Sequence, residues 1–181
     1  VDWNYPSNTI EEWTSVQTGA YKNGLGKAIQ QKVKWLAIID TDEFLYPVID
    51  ANLITFLNKY NDAGGVAVNW QFFGTSFVDE IPPNRLMIEI LTKKAPDRYE
   101  HNVYIKSIVR PSRVVAMFDP HTVIYKKPYR CVDSEGKTIS GGKNESIPIG
   151  RARINHYWSR DVKFFNEHKL ARRLKWWTGL D

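Results

Sequence analysis

Residues 33–47 read Val-Lys-Trp-Leu-Ala-Ile-Ile-Asp-Thr-Asp-Glu-Phe-Leu-Tyr-Pro, and the run Asp40-Thr41-Asp42-Glu43 is the part best equipped for chemistry. The apolar stretch Trp35 to Ile39 is expected to enter the interior as a strand and stop at two aspartates one residue apart. Side chains alternate along a strand, but where the chain turns both carboxylates can converge on one point. Close carboxylates repel and raise each other's pKa unless a cation joins them. Magnesium and manganese take oxygen ligands and commonly keep substrate phosphates as the rest of their shell. The residues therefore predict a divalent-metal site for a phosphorylated ligand at the carboxyl end of a buried strand, where open α/β sheets hold ligands. An Asp-x-Asp can equally be an Asx turn and helix cap. Here acids at three of four positions, flanked by Ile39 and Phe44, demand a compensating cation.

The elements that must position these groups follow from periodicity. Ile10, Trp13, Val16 and Ala20 predict a helix over 9–31 behind a cap at Ser7, Asn8 or Thr9. Pro47 precedes a second helix over 49–60, spaced by Leu53, Phe56, Leu57 and Tyr60. Gly64-Gly65 ends that unit, and Val66 to Phe73 reads as a second buried strand. Further strands are expected at Met87 to Thr92, Tyr104 to Arg110, Val114 to Phe118, Thr122 to Tyr125 and Ile154 to Trp158. Residues 133–150, with Gly136, Gly141, Gly142 and Gly150, read as a flexible loop or lid. From Ser159 onward the chain is helical. Phe164, Leu170, Ala171, Leu174 and Trp177 form one arc, expected to pack. His168, Lys169, Arg172, Arg173 and Lys175 form the other, either a solvated face or cations for a diphosphate or an anionic membrane surface. Alternating helices and strands argue for an α/β sheet.

Composition narrows the partners. The 181 residues suit one domain, and no apolar run approaches the roughly 20 residues of a membrane span. The lone Cys131 excludes an internal disulfide and a cysteine-based zinc site. A net charge of +5 is too mild and dispersed for a nucleic-acid protein, while anionic substrates fit. Seven Trp, nine Tyr and eight Phe are a heavy aromatic load, and aromatic faces stack on sugar rings as well as filling cores.

Four blocks, in order, carry a family resemblance: Trp35 to Pro47; Trp70-Gln71-Phe72-Phe73-Gly74-Thr75-Ser76; Lys106-Ser107-Ile108-Val109-Arg110-Pro111 with His121; and Ile154-Asn155-His156-Tyr157-Trp158-Ser159. The sequence resembles the family 92 glycosyltransferases and their family-2-like relatives. That resemblance implies a GT-A fold, a mixed Rossmann-like sheet flanked by helices, as one domain over 1–181. It implies a nucleotide-sugar donor, UDP-sugar favoured, a glycan or other hydroxyl acceptor, and Mn²⁺ or Mg²⁺ bridging protein and diphosphate. By position, Asp42 is the metal ligand, Asp40 reaches the ribose or a metal-bound water, and His156 is a further ligand. His121 is its substitute or lines the acceptor site. Beside the resemblance, Lys169, Arg172 and Arg173 could bind the diphosphate, and Trp70 could stack on the donor or acceptor sugar or simply fill the core. The resemblance also suggests inversion assisted by a carboxylate base, with Glu80, Asp79 and then Asp119 as candidates, the first two also reading as turn residues before Pro82-Pro83.

The chain departs from the family twice. The given sequence starts at Val1-Asp2-Trp3, near where two base-binding strands would end, so it reads either as a fragment or as a chain that binds the base differently, and Phe77 stands where the family has glycine. Two other readings compete. In an aspartate-nucleophile phosphatase Asp40 would attack phosphorus and Asp42 act as acid and base, but Ser159-Arg160-Asp161 supplies one late aspartate where that fold expects a pair. A carbohydrate-binding module would have kept the fold and lost the donor. The compartment reads as cytoplasmic, or as Golgi lumen if a longer chain carries an anchor, with peripheral membrane contact through the basic helix.

Overall fold

The computed structural model describes Tyr5 and residues 7–178, so Val1, Asp2 and Trp3 lie outside the described residues. Thr9 is the cap of helix α1 (Ile10–Gln30), its hydroxyl accepting the Glu12 N–H at 3.1 Å. Nine strands follow among the described residues: β1 (Leu36–Ala37), β2 (Glu43–Pro47), β3 (Gly65–Phe72), β4 (Ile105–Val109), β5 (Val114–Met117), β6 (Val123–Tyr125), β7 (Cys131–Asp133), β8 (Thr138–Ile139) and β9 (Ala152–His156). Helices α2 (Leu53–Leu57) and α3 (Met87–Ile90) are short, and α4 (Val162–Phe164) runs through a π turn (Phe165–Leu170) into α5 (Ala171–Thr178). No helix among the described residues is long and apolar enough to cross a membrane.

β3 is the axis of a mixed sheet. Along one edge it pairs antiparallel with β4, and β4 with β1. Along the other edge it changes partner: Gly65–Ala67 runs parallel to β7, which pairs with β8, whereas Trp70–Phe72 runs parallel to β9, which pairs antiparallel with β2. β5 and β6 form a separate hairpin. Neighbouring residues of β4 face opposite sides, so Ile108 joins a core with Phe56, Val66, Val68 and Ile154, while Val109 joins Leu25, Ile38, Val114 and Met117 beneath α1. Gly64 and Gly65 permit this packing, because a Cβ on either would run into the Tyr125 ring.

Four expectations are corrected. The strand ahead of the acids is only two residues long, and Glu43 opens β2 instead of completing a turn before a helix. Met87 to Thr92 is not a strand: Glu89 pairs with Arg85 at 3.1 Å and accepts the Leu86 N–H at 3.3 Å, closing one helical turn. Residues 133–150 are not an open lid. Buried Asp133 accepts the backbone N–H groups of Glu135 and Lys137, each at 2.9 Å, and the Asn144 amide at 3.2 Å, while Ser134 donates to the Pro148 carbonyl at 2.7 Å. The C-terminal helix is turned over, with Leu170, Leu174 and Trp177 exposed and the Lys169 and Arg172 side chains partly buried.

Candidate active site

The register brings the acids and the late histidine together. Glu43 at the start of β2 lies opposite His156 at the end of β9, and His156 lies opposite Phe72 at the end of β3. The Tyr157 N–H donates to the Asp42 carbonyl at 2.9 Å, fixing the turn against the end of β9.

Asp40 faces α1 and β4. Its Oδ1 accepts the Gln17 amide at 2.7 Å and the Tyr21 hydroxyl, and its Oδ2 accepts the Lys106 ammonium at 2.9 Å. Burial pushes this carboxyl up, but Lys106 and the Tyr21 hydrogen bond outweigh it and hold the pKa below the ordinary value. Tyr21 is pushed far up by burial and the Asp40 charge, so it stays a donor. Lys106 is sealed from solvent, with Glu43 Oε1 at 3.9 Å and the Pro120 carbonyl at 3.2 Å. Sequence reading gave Lys106 no role. A lysine among Ile105, Ile108 and Val109 of one strand, in a chain whose acid cluster needs a cation, was the available signal.

Asp42 faces the other way. Its Oδ2 accepts the Lys169 ammonium at 2.9 Å, and its Oδ1 lies 3.7 Å from His156 Nε2. Burial alone would raise this carboxyl; the imidazole and the ammonium override it and drive the pKa well below the usual range. His156 is buried against Trp70 and Phe72, with ring centroids 4.3 and 4.8 Å away. Burial lowers its pKa against the pull of Asp42. Glu43 Oε1 lies 4.0 Å from the same Nε2 and has no hydrogen-bond partner.

A carboxylate oxygen and an imidazole nitrogen are donors of a kind that divalent ions accept. They face each other across a gap wider than a hydrogen bond, with an unpartnered carboxyl oxygen behind them. Among the described residues no group of three or more His, Cys, Asp or Glu is placed to hold a metal ion, so the protein offers two donors at this corner. Magnesium commonly accepts one or two protein ligands when phosphates and waters complete its shell.

Beside this corner opens a cavity of about 960 Å³, lined by Trp70, Phe72, Tyr99, Tyr104 and Trp158 together with three histidines, Lys93, Lys94 and Arg173. Arg173 lies over the Trp158 ring at 4.5 Å, and Arg172 over Trp13 at 4.8 Å and Trp176 at 5.0 Å. The candidate bases are elsewhere. Asp79 and Glu80 are exposed and do not line the cavity, and Glu80 pairs with Lys163 at 2.9 Å. Asp119 Oδ1 caps its own turn, accepting the His121 and Thr122 N–H groups at 2.7 Å each and the Thr122 hydroxyl at 3.1 Å. His121 lines the cavity with Trp70, its ring centroid 5.4 Å from the indole. The loop after β3 keeps the backbone a glycine would favour: Ser76 and Phe77 take φ of 55° and 62°, and the Phe77 ring is 90% exposed.

A family model described as glycosyltransferase family 92 matches residues 16–176. A search of curated proteins gives no match.

Proposed function

Because the chain belongs to glycosyltransferase family 92 and is a glycosyltransferase, we propose that it moves a sugar from a nucleotide-sugar donor, a UDP-sugar being favoured, to a glycan hydroxyl with inversion on a GT-A-type sheet. The observation that carries this reading is the pairing of Asp42 Oδ1 with His156 Nε2 across 3.7 Å, beside a cavity walled by aromatic rings. Asp42 and His156 would hold Mn²⁺ or Mg²⁺, which supplies charge neutralisation for the departing diphosphate. Neutral imidazole adds a ligand without adding negative charge. Asp40, already bonded to Gln17, Tyr21 and Lys106, fixes the turn from which Asp42 projects. Lys169 reaches the same corner from the helix side, and with Arg172 and Arg173 offers cations to phosphate oxygens. Trp70 and its aromatic neighbours offer faces for sugar rings and exclude water. Lys169 and Arg172, the two partly buried members of the basic arc, turn towards the acid corner and Trp13, which favours the diphosphate over a membrane surface as their partner.

Calorimetry tests the reading. Titration with UDP in Mn²⁺ should give a binding heat that EDTA removes and that Asp42→Ala abolishes while circular dichroism stays native. His156→Ala should weaken Mn²⁺ binding about 10-fold or more without unfolding. Undiminished, manganese-dependent UDP binding by Asp42→Ala would refute the site.

A further inference from the structure

His121 is held at every polar atom but one. Its backbone N–H donates to Asp119 Oδ1 at 2.7 Å, and its carbonyl accepts the Ser107 hydroxyl at 2.6 Å. Nδ1 lies 2.8 Å from the Ile105 carbonyl oxygen, which can only accept, so Nδ1 carries the hydrogen. The tautomer therefore leaves a lone pair on Nε2, the one ring nitrogen without a hydrogen-bond partner here. The ring is braced further by Tyr104, with centroids 5.9 Å apart, and by Gly142, where a Cβ would come within 3.3 Å of the His121 Cβ.

The cavity holds no Asp or Glu among its described lining residues. Its imidazoles are those of His101, His121 and His156. His101 is exposed, and His156 turns Nε2 to Asp42 and seals an unpartnered Nδ1 in the core. Trp70 borders both His156 and His121, at 4.3 and 5.4 Å between centroids, so a sugar over this indole would have the acid corner near one imidazole and the open cavity near the other.

From this geometry, and resting on the transfer reaction proposed above, we infer that His121 is the general base that activates the acceptor through Nε2. The acceptor O–H bond breaks and its proton moves to Nε2. The oxygen's electron pair forms the new bond to the anomeric carbon, while the anomeric carbon–phosphate oxygen bond breaks and its pair leaves on the diphosphate. Burial and the Lys106 charge keep the ring below its ordinary pKa, so the neutral form needed for this step is at hand.

The test measures UDP release in Mn²⁺ from a mixture of UDP-hexoses with pooled oligosaccharides as acceptors, alongside calorimetric UDP binding. Two folded variants are compared, His121→Ala and His121→Asn, the second retaining an amide that can donate to the Ile105 carbonyl. General-base removal should cut turnover roughly 100-fold or more in both, leave UDP affinity within about twofold, and be partly reversed by added imidazole in His121→Ala. Turnover within about threefold of wild type in either folded variant would overturn the assignment, as would a parallel loss of UDP affinity. A wild-type protein that binds UDP in Mn²⁺ yet loses nothing at His121 sinks the base alone. A wild type that binds no UDP sinks the donor site first.

Discussion

Glu43 has the most unusual environment among the acids at 40–43. It is sealed from solvent, its Oε2 accepts the Asp40 N–H at 3.0 Å, its Oε1 has no partner, and Lys106 stops 3.9 Å short. Burial, helped by the Asp40 charge and opposed by Lys106, pushes its pKa up to about 8. A carboxyl whose folded pKa lies above its unfolded value binds its proton more tightly when folded. Its contribution to stability is complete below about pH 4.5 and drains away as pH rises towards 8. Asp40 and Asp42, both depressed, contribute in the opposite sense and lose their stabilisation on acidification. Glu43→Gln should therefore gain on the wild type between pH 5 and pH 8 in urea unfolding with EDTA, by on the order of 1–3 kcal/mol. A difference that stays level across that window would show an ordinary carboxyl. Asp42 was legible as charge beside an apolar run, whereas His156 came from the family resemblance and Lys169 from the basic arc of the last helix; the structure brings the three together. Lys106 was not legible, because a lone lysine in a strand ordinarily marks the solvent face.

Helices and strands were legible where periodicity was strong, as in α1, β3, β4 and β9. The one-turn helix at Met87–Ile90 was not, because four residues carry no period. The C-terminal helix shows a different limit. Its two arcs were correctly separated, yet which arc turns inward depends on partners far away in sequence. Asp42 draws Lys169, and Trp13, Trp158 and Trp176 present ring faces to the guanidiniums, leaving Trp177 73% exposed. Gly64-Gly65 was legible only as a breaker; its packing against Tyr125 was not. Gly65→Ala should destabilise the fold by about 1–3 kcal/mol in chemical denaturation, since a Cβ there also comes within 2.9 Å of the Ile108 carbonyl oxygen. Wild-type stability in that variant would mean the β5–β6 hairpin yields freely.

At the scale of the molecule, mixed α/β architecture was legible from alternation, but strand order was not. The exchange of β7 for β9 along one edge of β3 is a matter of register that no local pattern encodes. That exchange carries His156 to the end of β3 and ties the site to α1, β4 and the C-terminal helix together. Ligand binding should then stabilise the whole fold. With UDP and Mn²⁺ at about 100 times the dissociation constant, linkage predicts roughly 2.7 kcal/mol, or about 5–10 °C in melting temperature for a chain of this size. Scanning fluorimetry with UDP alone, Mn²⁺ alone and both together would reveal it, and an unchanged midpoint with both present would contradict the coupling.

The ion pair between Asp42 and Lys169 joins groups 127 residues apart. On the ribosome, at about 5–20 residues per second, Asp42 waits roughly 6–25 s for that ammonium to be synthesised. During most of that interval β9 and Tyr157, which fix the turn at Asp42, are also still to be made, so the corner can close only when the last segment of the chain has emerged.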